Sequence, residues 1–338
     1  MVNRTGLGAA VLMTLLGTAA ALVPPGPGAT APQAYADANA PRDLPKTYVV
    51  SNEAGVLPEG IAVHSDGTMY VTSKASGTLY RGRVGASHLT PFPVKGVTGE
   101  GERRTSLGVH TDRAGNIFSV GGDTLTVHNR AGRLLDSTQA AGGPLGAANL
   151  NDLAITPTAV YVTDWANPII YRAERRGATI GPLRPWLDIR PAIPGFPAQY
   201  WLLNGIVANA DGSTVLVASN GTEAVWRVDA ATKAVTEVDL GGQSFGADGM
   251  VLNGRNLYAV LNYGAPHGIY VARLDQDLRR GEVVHTILTD ADGQAFDLPT
   301  TLARHGCRLY VVNSQLDQEP STPPYTVSAV PDPVCPAR

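Results

Sequence analysis

The chain has 338 residues, of which 38 are glycine and 25 are proline, while only 16% are charged. This balance is typical of many short strands joined by tight turns, and the length allows one large all-β domain or two ordinary ones. A net charge of −3 gives no basis for binding nucleic acid or an anionic membrane, so neither is expected as a partner.

The N-terminus has the pattern of a secretory signal peptide. Arg4 supplies a positive charge, an apolar run covers residues 5–23, and Ala34–Ala36 offers a small-residue cleavage site. A membrane anchor is the competing interpretation because the run approaches spanning length, but its glycine and alanine content and the nearby cleavage site favour removal. We therefore predict a signal peptide over 1–36, a flexible leader over 37–45, and a protein secreted by the Sec route with no membrane segment after cleavage.

One pattern recurs six times along the rest of the chain. A small or polar pair is followed by an apolar strand, a turn and a second apolar strand. The first residue of each pair, called the opener below, recurs at intervals of 44 to 53 residues, about the period of four-stranded propeller blades. In chain order the openers are Glu59, Leu107, Asn151, Asn204, Asp248 and Thr300.

These repeats predict the fold class. A single blade cannot bury both of its faces, whereas six blades arranged radially cover one another. We expect one all-β domain, a six-bladed β-propeller with four-stranded blades, over residues 46–338. The strand near Tyr48–Val50 is expected to join the last blade and close the ring, and a final strand is expected near Tyr325–Val330.

The chain has only two cysteines, Cys307 and Cys335. An exported protein meets an oxidising compartment, so we expect these residues to form a disulfide rather than remain free thiols. The bridge would tie the C-terminal tail to a strand of the last repeat.

Four openers carry side-chain oxygens: Glu59, Asn151, Asn204 and Asp248. The first strand of a propeller blade lines the central channel, so equivalent positions converge on the axis. Two carboxylates and two amide oxygens there would bind one divalent cation and leave positions open for water or substrate. Ca²⁺ suits these ligands best, with Zn²⁺, Mg²⁺ and Mn²⁺ left open. The alternative is that each pair is only a turn dipeptide, but their equivalent places in separate repeats favour the metal site.

The segments PEGIAV, LNDLAI, LNGIVA and ADGMVL resemble the metal-binding segments of the gluconolactonase, senescence marker protein and luciferin-regenerating enzyme family. The resemblance covers about residues 48–315 and implies the same four metal ligands on a six-bladed propeller. It also implies that the protein hydrolyses a small-molecule lactone or related ester. The metal would polarise the ester carbonyl, and Asp248 would be the general base for the attacking water. We expect a monomer.

Two positions depart from such relatives. Sugar-lactone members often carry an arginine two residues before the third-blade asparagine, where this chain has Asn149, so recognition of a sugar acid is not implied. Paraoxonase-type relatives place a histidine at the second opener, where this chain has Leu107. His110 lies three residues further on and is expected to pack between blades.

The wall of the site is expected to come from loops at the same mouth of the channel. Besides Asn149, the candidates are aromatic residues and one histidine close to the openers or in loops of the same repeats, and for each of them packing in the core is the alternative. They are Trp165, Tyr200, Trp201, Phe245 and His267.

Two other functions remain open at this stage. The protein could be a non-catalytic propeller that binds a partner and holds a structural metal. A lyase or a strictosidine-synthase-like enzyme is the third hypothesis, but those relatives use other catalytic side chains, and the four-oxygen set argues against it. The leading hypothesis is a metal-dependent hydrolase of lactones or related esters.

Overall fold

The computed structural model describes residues 44–94, 105–263, 266–316, 318 and 320–335. The described chain is all-β, with two short 3₁₀ helices at Arg190–Ala192 and Ala198–Tyr200. The predicted signal peptide and nearly all of the leader lie outside the described residues. In the part of the chain that is described, no helix is long and apolar enough to cross a membrane.

Six antiparallel sheets form the blades, and the first three end at Asp188. β1 (Thr47–Ser51) precedes them. The first blade contains β2 (Pro58–Val63), β3 (Thr68–Ser73), β4 (Leu79–Arg83) and β5 (Thr90–Phe92). The second contains β6 (Val109–Thr111), β7 (Ile117–Gly121), β8 (Thr124–His128) and β9 (Leu134–Gln139). The third contains β10 (Leu150–Ile155), β11 (Ala159–Asp164), β12 (Ile169–Arg176), β13 (Thr179–Ile180) and β14 (Arg184–Asp188).

The remaining three blades follow in the same order along the chain. The fourth contains β15 (Leu203–Ala208), β16 (Thr214–Ser219), β17 (Ala224–Asp229) and β18 (Val235–Glu237). The fifth contains β19 (Met250–Asn253), β20 (Asn256–Leu261), β21 (Gly268–Leu274) and β22 (Gly281–Ile287). The sixth contains β23 (Pro299–His305), β24 (Arg308–Asn313), β25 (Tyr325–Pro331) and β1.

The two ends of the described chain close the ring. β1 pairs antiparallel with β25, with Thr47 opposite Ser328, and so supplies the outer strand of the sixth blade. The innermost strands contact one another in order around the axis, and β23 contacts β2. The predicted six-bladed propeller is therefore confirmed, and so are the closing strand near Tyr48–Val50 and the final strand near Tyr325–Val330. The third blade differs from the prediction because its outer strand is split into β13 and β14.

The hydrophobic core consists of six clusters of buried side chains in the described residues, one at each junction between neighbouring blades. Phe118 and Val162 belong to the junction of the second and third blades, while Val71 and Tyr310 belong to the junction of the sixth and first. Burial of apolar area on both faces of every blade is what stabilises a closed ring of sheets.

The C-terminal tail is fastened to the sixth and fifth blades. Cys307, in the turn between β23 and β24, forms the predicted disulfide with Cys335, with their Cα atoms 5.5 Å apart. The buried Asp332 carboxylate accepts hydrogen bonds from Arg304 Nε at 2.6 Å and from the Tyr258 hydroxyl at 3.0 Å. Because Tyr258 lies on β20, these contacts join two adjacent blades.

Candidate metal centre

A β-bulge lies at the start of four blades. A bulge places an extra residue in one strand and re-aims the side chain there. Glu59, Asn151 and Asn204 lie within such bulges, so they are strand residues at the channel and not the turn residues of the alternative interpretation. The register shifts lie between Pro58 and Ile61, Leu150 and Leu153, Leu203 and Ile206, and Pro299 and Leu302.

Glycine follows several openers because the next blade approaches too closely for a side chain. A β-carbon added to Gly60 would lie 2.2 Å from the carbonyl oxygen of Leu107. One added to Gly205 would lie 2.7 Å from the carbonyl oxygen of Asp248. Neither distance is compatible with a real β-carbon, so glycine at these positions lets the innermost strands crowd together around the axis.

Threonine hydroxyls hold the opener backbones in place. Thr72 Oγ1 donates to the Leu107 carbonyl at 2.6 Å, and Thr163 Oγ1 donates to the Asn204 carbonyl at 2.7 Å. Thr300 Oγ1 donates to the carbonyl of Glu59 at 2.8 Å. Each bond links one blade to the next, so the positions of the openers are set by the ring as a whole.

The four oxygen-bearing openers line one cavity at a mouth of the channel. Its volume is about 120 Å³, and Glu59, Asn151, Asn204 and Asp248 all contribute to its wall. All four side chains are buried. Four ligands of a single ion must line one cavity, as these side chains do.

Two buried amide oxygens at this site have no hydrogen-bond partner among the described residues, those of Asn204 and Asn262. Asn204 Nδ2 donates to Asn220 Oδ1 at 2.8 Å, which leaves Asn204 Oδ1 unpaired. Asn262 Nδ2 donates to Asp248 Oδ2 at 2.5 Å and to the Pro299 carbonyl at 2.9 Å. An unpaired buried acceptor costs about 1–3 kcal/mol, and a bound cation would remove that cost for the Asn204 ligand.

Ionisation of the Glu59 and Asp248 carboxyls is electrostatically unfavourable without a cation. Burial raises the pKa of Asp248 to about 7, opposed by hydrogen bonds from Asn262 and Asn204 and reinforced by the charge of Asp152. Burial, followed by the negative charges of Asp248 and Asp152, raises the pKa of Glu59 well above its usual range. Desolvation and like charge together disfavour ionisation, and a divalent ion reverses both effects.

The donor set fits a hard divalent cation. Within the described ranges, no group of three or more histidine, cysteine, aspartate or glutamate side chains could hold a metal ion. The opener set has only two carboxylates, Glu59 and Asp248, and the amides of Asn151 and Asn204 complete it. All-oxygen ligation of this kind suits Ca²⁺ or Mg²⁺ better than metals that prefer nitrogen or sulfur.

Two of the predicted wall residues line the cavity, Asn149 and Trp165. The ring of Trp165 lies 6.4 Å from that of Tyr263, a further lining residue that sequence reasoning missed. Lys74 also lines the cavity and is the one cation in its described wall. Its positive charge opposes the rise in the pKa of both Glu59 and Asp248.

The other predicted wall residues lie elsewhere. Trp201 is fully buried at the junction of the third and fourth blades, with its ring 5.6 Å from that of Trp226. Phe245 is buried at the next junction, 6.4 Å from the ring of Tyr270. Large aromatic side chains gain more by filling these apolar clefts than by facing a polar mouth. Tyr200 and His267 are exposed and do not line the described cavity.

His110 contacts a residue of the neighbouring blade close to the site. It lies on β6 between the second and third blades, and it also lines a narrow space of about 10 Å³ that adjoins the site. Its Nε2 atom lies 3.3 Å from Oδ1 of Asp152. The Asp152 carboxylate also accepts hydrogen bonds from the amides of Leu153 at 2.8 Å and Ile206 at 3.3 Å, so it is held by two adjacent blades.

Three residues that sequence reasoning missed share with Trp165 a signal that is visible in the sequence. Each is the first residue after the second strand of its blade, so these positions form an outer ring around the openers. In chain order they are Lys74, Trp165, Asn220 and Asn262. Trp165 was found only as an aromatic loop residue; aligning the repeats on their second strands would have identified the whole set.

No protein-family model and no curated protein matches the chain. Similar solved structures include the major allergen Mala s 1 of Malassezia sympodialis, with 15% identity, a TM-score of 0.63, and coverage of 85% of this chain and 96% of that one. A calcium-binding protein, regucalcin, from Agrobacterium tumefaciens has 15% identity, a TM-score of 0.58, and coverage of 85% and 94%. Virginiamycin B lyase from Staphylococcus aureus has 14% identity, a TM-score of 0.55, and coverage of 85% and 88%. At these identities the comparisons show a shared propeller fold.

Proposed function

We propose that the protein is a secreted, monomeric, metal-dependent hydrolase that opens lactones or related esters. The observation that carries this proposal is one small cavity lined by two buried carboxylates and two buried amides, with the amide oxygen of Asn204 unpaired. Similarity in fold to a structure described as a calcium-binding protein, regucalcin, supports the choice of Ca²⁺. The disulfide supports an oxidising compartment.

Glu59, Asn151, Asn204 and Asp248 would hold one divalent cation, with Ca²⁺ favoured over Mg²⁺, Mn²⁺ and Zn²⁺. When bound, the cation supplies positive charge that polarises a carbonyl oxygen and stabilises the negative charge that develops on it. Glu59 and Asp248 balance the charge of a dication, while Asn151 and Asn204 add oxygen atoms without adding charge.

Asp248 is the proposed general base. Asn262, itself fixed by the Pro299 carbonyl, binds Oδ2 of Asp248 and so orients the carboxylate. Oδ1 is then the atom that takes a proton from the attacking water. The bound cation would keep this carboxyl ionised, so that it can accept a proton near neutral pH.

The cavity wall limits what can enter. A volume of about 120 Å³ is smaller than the ~300 Å³ at the lower end of small-molecule sites. Only the reacting ester or lactone ring is therefore expected inside, with the rest of the substrate against Trp165 and Tyr263. Lys74 brings a positive charge to the wall and would favour the anionic form of the reacting group.

The test is hydrolysis of a panel of lactones and aryl esters by the purified protein. We expect at least one lactone to be opened, with activity lost in a chelator and restored by Ca²⁺. Asp248→Asn is expected to lower kcat by at least ~100-fold, as for loss of a general base. Asp277→Asn, an exposed aspartate in the fifth blade, is the matched control and should retain full activity.

Two outcomes would contradict the proposal. Hydrolysis that is indifferent to chelator would overturn the metal-dependent mechanism. Stoichiometric Ca²⁺ binding without turnover of any member of the panel would instead identify a binding propeller that holds a structural metal.

A further inference from the structure

The third blade has a split outer edge. β12 is eight residues long and pairs with β13 near its end, where Arg176 is opposite Thr179, and with β14 near its start. A cavity of about 320 Å³ opens beside this split, and its wall includes Arg172, Arg184 and Trp186. This cavity, called the blade-three pocket below, shares no lining residue with the proposed metal centre.

Two arginines lie side by side in the wall of the pocket. Arg172 on β12 is directly opposite Arg184 on β14. Residues directly opposite on antiparallel strands project from the same face with β-carbons ~5 Å apart, and like charges in this arrangement are unfavourable. Arg172 lies 3.6 Å from Glu174, but that carboxylate is 82% exposed and the ion pair is weak. Arg184 forms no ion pair with any residue that the structure describes.

A third cation reaches the pocket from the fourth blade. Lys233 lies in the turn after β17 with φ of 61°, a left-handed conformation that favours glycine over a lysine. Its Nζ atom lies 5.9 Å from the ring centroid of Trp186. Glycine would adopt this left-handed backbone conformation with less strain than lysine. The presence of a lysine is therefore consistent with a role for its side chain in the pocket.

The remaining wall is apolar and rigid. The ring of Trp186 packs edge-to-face on Tyr161, with centroids 4.8 Å apart, and part of it remains accessible. Pro182 and Pro185 complete this side of the pocket. The pocket therefore combines three cations and one carboxylate with a flat aromatic surface, which gives it a net positive charge.

We propose that the blade-three pocket binds a small organic anion, namely a ring compound that carries a carboxylate or a phosphate and is about the size of one sugar residue. Guanidinium groups match the planar oxygens of carboxylates and phosphates, and an oxyanion between Arg172 and Arg184 would relieve their repulsion. The aromatic and proline wall would contact the ring. The volume is at the lower end for small-molecule sites.

The experiment is calorimetric titration of the full chain with glucuronate, glucose 6-phosphate and, as the neutral probe, glucose. At least one of the two anions is expected to bind at least ~10-fold more tightly than glucose, with an affinity that falls as salt is added. Arg184→Glu is expected to weaken that binding by at least ~10-fold. Arg176→Glu is the matched control, because Arg176 lies on the same blade and is exposed outside the pocket, and it should stay within about twofold of the wild type.

Lys233→Gly separates a binding role from a structural one. The substitution should weaken anion binding by ~5-fold while leaving the thermal unfolding midpoint unchanged or higher, because glycine suits the left-handed backbone. Loss of binding together with a lowered midpoint would count against a direct contact. No saturable binding of either anion up to about 10 mM, or equal binding by the Arg184→Glu variant, would overturn the proposal. Lactone hydrolysis should be unaffected in all of these variants, so failure here leaves the proposed function standing.

Discussion

At the scale of single residues, the orientation of one amide decides whether the channel mouth offers an oxygen or a nitrogen to an ion. Asn220 Nδ2 donates to the Gly246 carbonyl at 2.8 Å, which directs its Oδ1 toward Asn204 Nδ2. That contact leaves Asn204 Oδ1 unpaired in the buried site. Asn220 thus fixes the amide orientation of a proposed ligand without being a ligand itself.

Replacing Asn220 tests whether it sets the orientation of the Asn204 amide. In Asn220→Ala, the Asn204 side chain loses the partner that sets its orientation, and we expect Ca²⁺ affinity to fall by ~10-fold, as for other groups that orient metal ligands. Isothermal titration of the metal-free protein measures the change. Asn253→Ala, at the exposed end of β19, is the control and should bind Ca²⁺ like the wild type. Equal Ca²⁺ affinity in the two variants would contradict a role for Asn220 in orienting Asn204.

The raised pKa values predict how stability depends on pH in the metal-free protein. Burial raises the pKa of Asp248 to about 7, so the folded state binds more protons than the unfolded state, in which an aspartate titrates near pH ~4. Stability then falls as pH rises from ~4 through 7. We expect urea unfolding to show this loss, Asp248→Asn to reduce it, and Ca²⁺ to abolish it by favouring the ionised form. If Asp248→Asn left the pH dependence of stability unchanged between pH ~4 and 7 in the metal-free protein, Asp248 would not be its cause.

At the scale of elements, a bulge and a glycine occur together at the start of the first and fourth blades. The bulge turns the opener toward the axis, while the glycine after it allows the neighbouring innermost strand to come close. The channel is therefore narrow because the backbones touch, and the site is rigid because the Thr72 hydroxyl and its equivalents bridge adjacent blades.

Gly60→Ala should break this arrangement. The added methyl group would overlap the Leu107 carbonyl, at 2.2 Å, and the backbone there has little room to move. We expect a loss of about 2–3 kcal/mol in the free energy of unfolding, typical of overpacking, together with weaker Ca²⁺ binding. Gly85→Ala is the control, since a β-carbon there would meet nothing within 4 Å. Comparable denaturation curves for the two variants would show that the close approach is not structurally important.

At the scale of the whole molecule, the ring depends on how its ends are joined. The sixth blade combines β1 from the N-terminal side with β23, β24 and β25 from the C-terminal side. Beyond β25, the tail is held by the disulfide and by Asp332, whose contacts reach the fifth blade through Tyr258. Because each blade needs two neighbours, loosening this closure exposes apolar faces on both sides of it.

Removing the disulfide measures one part of this closure. Cys307 and Cys335 are 28 residues apart, and loop-closure entropy predicts that the bridge stabilises the fold by about 3.5 kcal/mol. The double variant Cys307→Ser with Cys335→Ser should lose about this amount in guanidinium unfolding. Reduced wild-type protein is expected to match the double variant. A double variant as stable as the oxidised wild type would mean that Asp332 and β1 suffice to close the ring.

The repeats explain why so much of this fold could be predicted. Six equivalent segments must occupy equivalent places around an axis, so finding the openers located the innermost strands together with the oxygen-bearing side chains on them or just before them. The cavity shared by Glu59, Asn151, Asn204 and Asp248 follows from that symmetry. The predicted cysteine pair required only a count of two and an oxidising compartment.

Side chains that leave the repeat pattern could not be placed in this way. Trp201 and Phe245 are close to openers in the chain but face the junctions between blades. Whether such an aromatic residue faces a junction or the mouth depends on which face of the sheet it occupies, and a bulge shifts that assignment by one residue. Lys74 and Asn262 do follow the repeats, but they lie some 14 or 15 residues after an opener, so an alignment of the openers alone does not identify them.

The amino-acid sequence by itself determined the number of blades, the closing strand and the ring of oxygen-bearing openers, because these depend on a periodic pattern that repeats along the chain. Only the tertiary structure decided which amide oxygens stay unpaired, which aromatic residues reach the mouth, and that the split third blade opens a cationic pocket beside Arg172 and Arg184. Those features arise where one blade meets the next, and contacts between residues far apart in the chain leave no local pattern from which to infer them.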